Sequence, residues 1–145
     1  MRDLMAESPE LAQELIRTVE CANALDERGE AAEARKIYIE AWDRLPAPKH
    51  EWSLFGQWIP ICLFNNSMKS KDYADARKWA GMSYMARPRE DDTASMMQLG
   101  AANYELGDMD GAFDWFGKAY AIGSRRAFQG FPKKYLDFYL KKTQR

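Results

Sequence analysis

The residues able to do covalent or acid–base chemistry are few and scattered. The chain has one histidine, His50, and two cysteines, Cys21 and Cys62. Nucleophilic catalysis needs a base held against a serine or cysteine. Here the one imidazole follows Pro48 and Lys49 in a connecting segment, with Ser53, Cys21 and Cys62 as its only conceivable partners and no motif around them. His50 also lacks cysteine or carboxylate neighbours at metal-ligand spacing. Glycines occur singly and none precedes Lys-Ser or Lys-Thr, so the phosphate-cradling loop is missing. The run Glu90-Asp91-Asp92 lies at a helix start, where carboxylates complement the helix dipole. The inventory predicts a protein that is not an enzyme, with no catalytic residues, no cofactor and no metal.

Charge narrows the partner classes further. Arg125, Arg126, Lys133 and Lys134 interleave with Phe128, Phe131 and Tyr135, a pairing that can neutralise phosphates and stack bases. These aromatics fall at helical core spacing and the adjoining block is acidic, so no nucleic-acid partner is expected. The net charge of −1 is blocked along the chain: −5 over residues 1–51, +4 over 52–89, −6 over 90–123 and +6 over 124–145. In a stacked array each block becomes a surface patch, which either attracts the neighbouring repeat or steers a charged partner. No run approaches the ~18 apolar residues of a membrane span, and MRDLMAESPE lacks the basic start and apolar core of a secretory signal. A cytoplasmic location, no membrane association and free cysteines packed as small hydrophobes are therefore expected.

The elements come from a spacing that occurs three times. In DTASMMQLGAANYELGDMDGAFDWFGKAYAIGS, a helix capped at Asp92 or Thr93 runs to Leu106 with Met96, Leu99, Gly100 and Asn103 on one face. Gly107 and Asp108 break it, and a second helix from Met109 to about Ile122 turns Ala112, Phe116, Ala119 and Tyr120 toward the first. Small residues at Gly100 and Ala112 let the axes approach while Phe116 fills the space beside them. With Ala34 aligned on Ala112, TVECANALDERGEAAEARKIYIEAWDRLP repeats the pattern, with Gly29 at the turn; with Ala76 aligned, Leu63, Phe64, Ala80 and Ser83 repeat it again and Lys71 replaces the turn glycine. The steps between anchors are 42 and then 36 residues. The surplus lies in LPAPKHEWSLFGQWIP, where His50 to Trp58 are expected to lengthen the first helix of the middle pair and Pro60 to kink it or mark the first turn of a new helix. That helix, with Trp52, Phe55, Trp58, Ile59, Ile61 and Phe64, is apolar all round and reads as the central element.

These three units resemble the tetratricopeptide repeat, whose Trp-Leu-Gly-Tyr-Ala-Phe-Ala-Pro pattern each meets in part. The resemblance implies an all-α fold: three helix-turn-helix repeats in a right-handed superhelix, at about residues 15–48, 50–89 and 92–124, within one domain spanning 1–145. An N-terminal capping stretch (Ser8, Pro9, Leu11, Leu15, Ile16, Val19) and a C-terminal capping helix at about 132–142 are expected to cover the open ends. The resemblance also implies a protein partner on the concave face. The groove residues it implies are Asn23, Asp26 and Glu27 from the first unit, Trp58, Ile61, Asn65 and Met68 from the second, and Met97, Tyr104 and Glu105 from the third. Clamps for a chaperone's C-terminal carboxylate use lysine and arginine where this chain has Val19, Ala94 and Gln98, and only Asn23 fits.

Two finer resemblances bear on the partner. The stretch from Trp58, with KDYADARKWAGMSYMARP, the third unit and PKKYLDFYL, looks like small bacterial repeat proteins found beside polymorphic toxins, which implies an immunity-type protein that binds and neutralises a toxin domain. The size and apolar groove are also similar to three-repeat chaperones of type III secretion, which implies a secreted effector as partner. The partner's identity, the oligomeric state and the choice of concave or convex face are left open by the sequence.

Overall fold

The computed structural model describes residues 1–144. Among them the chain forms eight α-helices and two 3-10 turns, and its only extended pairing is a parallel bridge between Arg2 and Trp52. A single-turn helix α1 (Leu4–Glu7) precedes three antiparallel pairs: α2 (Pro9–Glu27) with α3 (Ala31–Arg44), α4 (Phe55–Lys69) with α5 (Tyr73–Met85), and α6 (Ala94–Leu106) with α7 (Met109–Gly123). Each pair stacks on the next through α3 against α4 and α5 against α6. A 3-10 turn at Ser124–Phe128 then leads into α8 (Lys133–Thr143), which lies on α7. The core is one connected cluster from Leu4 to Tyr135.

Each pair closes with the same turn chemistry. Gly29, Lys71 and Gly107 hold the left-handed conformation, with φ of 83°, 58° and 86°. Glycine does this without steric cost, whereas lysine at the middle turn bears it. The side chains of Asp72 and Asp108 then accept the backbone N–H of Asp75 and Gly111 and start the following helices. The anchors Ala34, Ala76 and Ala112 are fully buried. At Gly100 a β-carbon would come within 2.4 Å of the Phe116 ring, so the third pair closes only around glycine.

The middle unit departs from the sequence expectation. Residues 45–54 are not helical apart from a 3-10 turn at Lys49–Glu51. Pro46 and Pro48 supply no amide donor, and neighbouring backbone groups bond elsewhere: Arg2 N–H to Glu51 O, and Ser53 N–H to Arg2 O. Trp52 is buried outside any helix, its Nε1 donating to Pro46 O at 2.7 Å. The helix begins at Phe55, and Pro60 lies inside it. The expectation of an apolar middle helix does hold, with Phe55, Ile59, Leu63 and Phe64 buried. One smaller expectation fails, since Cys21 is exposed. Tyr120 packs against Phe128 and Tyr139.

Contacts between pairs are polar as well as apolar. Arg35 on α3 donates through Nε to Asn66 Oδ1 at 2.8 Å and through its guanidinium to Asp72 at 3.0 Å. Asn66, fully buried on α4, donates to Ala31 O and Asp26 Oδ1. One step along, Arg77 on α5 donates to Asn103 Oδ1 on α6. Both arginines directly follow an anchor alanine. The residue that follows Ala112 is Phe113, which stacks on Tyr139 of α8 at 5.1 Å between ring centroids. The interaction changes from charged to aromatic where the array ends.

Candidate protein-binding cleft

The first helices of the first two pairs face one another across a cavity of about 720 Å³. Asn23, Asp26 and Glu27 reach it from α2, Asn65, Met68 and Lys69 from α4, and the turn at Gly130 and Pro132 closes one side. The cleft thus joins residues more than a hundred positions apart, because the chain must return from α7 to start α8. Five of the ten residues proposed from the sequence line it: Asn23, Asp26, Glu27, Asn65 and Met68.

Its polar groups divide into those that hold the walls and those that are available. Asn23 Oδ1 accepts the Tyr38 hydroxyl, leaving its amide nitrogen for the cleft. The Asp26 carboxylate, only 8% exposed, accepts from Asn66 and pairs with Lys69 at 3.4 Å. It belongs to the joint between the first two pairs. Glu27 and Asn65 are exposed and form no side-chain hydrogen bond or ion pair among the described residues. Burial, and then the Asp26 carboxylate, push the Cys62 thiol up to about 11. Burial also pushes the Tyr38 hydroxyl up, with Cys62, Asp26 and Glu27 adding to the shift. Both groups are held in their protonated form chiefly by burial, with the neighbouring carboxylates adding to it.

The other five proposed residues lie elsewhere. Trp58 and Ile61 line a separate cavity of about 300 Å³ with Leu54, Gln57, Ala86 and Pro88. Met97 is fully buried and offers no surface to a partner. It sits in α6, where every residue from Ser95 to Asn103 is buried, so the open-face expectation for the third unit is corrected. Tyr104 packs edge-on against Tyr135 and Phe138 of α8, while Glu105 accepts from Lys134 at 2.5 Å and from the Tyr135 hydroxyl at 3.2 Å. The capping helix has taken both residues. Lys134 is shifted upward by its bond to Glu105, and Tyr135 by burial and then by the same carboxylate. Sequence reasoning missed Tyr38, Cys62, Lys69 and the Gly130–Pro132 wall. Tyr38 and Cys62 fall at core spacing, and the wall depends on a return path with no local signal.

The described residues contain no group of three or more His, Cys, Asp and Glu side chains placed to hold a metal, and none of their helices is long and apolar enough to cross a membrane. No protein-family model and no curated protein sequence matches the chain. Among solved structures, it resembles the C-terminal TPR-containing domain of a protein described as an FK506-binding protein of Plasmodium falciparum. The TM-score is 0.71 at 20% identity, covering 94% of each chain. The fold is therefore a TPR-like helical array.

Proposed function

We propose that the chain is a non-enzymatic protein-binding module and that the cleft between α2, α4 and the turn into α8 is where it holds its partner. The observation that carries this reading is the pairing of available groups on facing helices: the Asn23 amide nitrogen and Glu27 on one wall, Asn65 and Met68 on the other. An asparagine amide offers a donor and an acceptor, matching a peptide backbone, and Met68 supplies an adaptable apolar contact. The cleft does not continue along the array, since Trp58 and Ile61 line a different cavity and Met97 is buried. A short, bounded cleft suits one loop of a folded partner better than a long extended segment. That favours an immunity-type role, occlusion of a cognate toxin domain, over a secretion chaperone.

The test is affinity capture from native cells with the wild type and with a Glu27→Lys, Asn65→Ala double variant. One stoichiometric partner with slow dissociation is expected, toxic when expressed alone and harmless when co-expressed. Binding by the double variant should weaken by roughly tenfold or more, about 1.4 kcal/mol, with helicity unchanged. Undiminished binding by the double variant would remove the cleft from consideration. Several unrelated secreted proteins in place of one partner would favour the chaperone reading.

A further inference from the structure

The last turns of two helices meet at the cleft. α2 ends at Glu27 and α4 at Lys69, and the lining residues of both helices fall within their final five positions. Each helix therefore directs the negative end of its dipole there, the end that favours a cation. Yet the last turn of α2 holds two carboxylates, Asp26 and Glu27, and no basic residue. Carboxylates in that place oppose the dipole, and a local rule broken in this way is expected at a functional position.

Only one of the two carboxylates is matched within the chain. Asp26 is held by Lys69 at 3.4 Å and by the Asn66 amide. Arg28, the next residue after α2, pairs with Glu30 at 3.2 Å, and Lys133 follows Pro132 without lining the cavity. Tyr38 and Cys62 keep their protons at neutral pH because burial raises both. Glu27 is thus the one charge lining the cleft that has no counterpart among the described residues. Across from it on α4 stands the unbonded side-chain amide of Asn65, with Met68 one turn further along.

We infer that the cleft takes an arginine side chain of the partner, its guanidinium against the Glu27 carboxylate and the Asn65 side-chain oxygen and its aliphatic stem along Met68. The inference rests on the cleft being the binding site. A guanidinium offers five donors in a planar fork, enough to serve a carboxylate and an amide oxygen together, and it is less strongly hydrated than an ammonium. Its stem covers apolar surface while the charged head stays at the polar rim. The Asn23 amide nitrogen, a donor, is left for a backbone carbonyl beside that arginine.

The test is a heteronuclear NMR titration of the full chain with N-acetyl-arginine-N-methylamide, set against the lysine and the uncharged citrulline analogues. Millimolar binding of the arginine compound is expected, read at Glu27, the Asn65 side-chain amide and the Met68 methyl, with lysine weaker and citrulline weaker still. Glu27→Gln, a change at an exposed position, should cut the arginine affinity roughly tenfold. The same variant should weaken binding of the affinity-captured partner, by a factor that shrinks as salt is raised. An arginine compound that leaves these three groups unshifted, or a citrulline compound that binds equally well, overturns the inference. If the captured partner is weakened by Asn65→Ala and untouched by Glu27→Gln, the cleft remains the binding site and the arginine is wrong. If neither substitution weakens it, the cleft itself falls, and the arginine with it.

Discussion

A β-carbon at position 100 would overlap the Phe116 ring, and that ring is fully buried among Phe128, Tyr135 and Phe138. Gly100→Ala is therefore expected to overpack the third pair and cost about 1 to 3 kcal/mol, read as a lower urea midpoint at unchanged slope. Lys71 gives the opposite case. Glycine occupies the same left-handed turn in the other two pairs, so Lys71→Gly should raise stability by about 0.5 to 1 kcal/mol once its backbone entropy cost is set against the strain removed. The two cysteines also differ at this scale. Cys21 is exposed, while the Cys62 thiol, partly buried in the cleft and facing Asp26, is pushed up to about 11. Iodoacetamide at neutral pH should modify Cys21 first, with Cys62 following only as the pH approaches 11, resolved by peptide mass spectrometry. The Cys62 thiol keeps its proton to higher pH in the folded chain than at its ordinary value of 9.0. Its contribution to stability is thus complete below about 9 and lost as the pH rises toward 11.

At the scale of elements, the joints between pairs rest on an arginine that follows the anchor alanine. Arg35→Ala would leave the Asn66 side-chain oxygen buried without its donor, at a cost of about 1 to 3 kcal/mol by chemical denaturation. The helix pairs themselves were legible in the sequence because their signals are local. Anchor alanines, Gly107 with Asp108, and Pro132 ahead of the final helix act on their own neighbours. What was not legible depended on distant segments. The start of α4 at Phe55 is set by Arg2, which takes the backbone partners at Glu51 and Ser53. Two of the expected groove residues were misplaced for the same reason. Tyr104 and Glu105 occupy positions that face a groove in an ideal repeat, but the capping helix returns over them. Nothing within the third unit marks that return. The Arg-to-Phe change at the post-anchor position is a usable signal that the array stops, since Phe113 suits an aromatic cap and not a further helix pair.

At the scale of the whole molecule, the most continuously buried element is α6. α6 is buried along nine consecutive residues, Ser95 to Asn103, whereas α8 has one fully buried side chain, Tyr135. Amide hydrogen exchange should be slowest in α6 and faster in α8 and α1, where few backbone groups are shielded. Exchange in α6 at a rate equal to that of α8 would contradict this order. The cleft wall at Gly130–Pro132 has a further consequence, for synthesis. A chain emerging from the ribosome can stack its first two pairs well before residues 130–132 appear, and at that stage the cleft is open on one side. If the cleft holds the partner as proposed, its capture is deferred until residues 130–132 have been made, so that copies lacking this wall do not compete with those that have it.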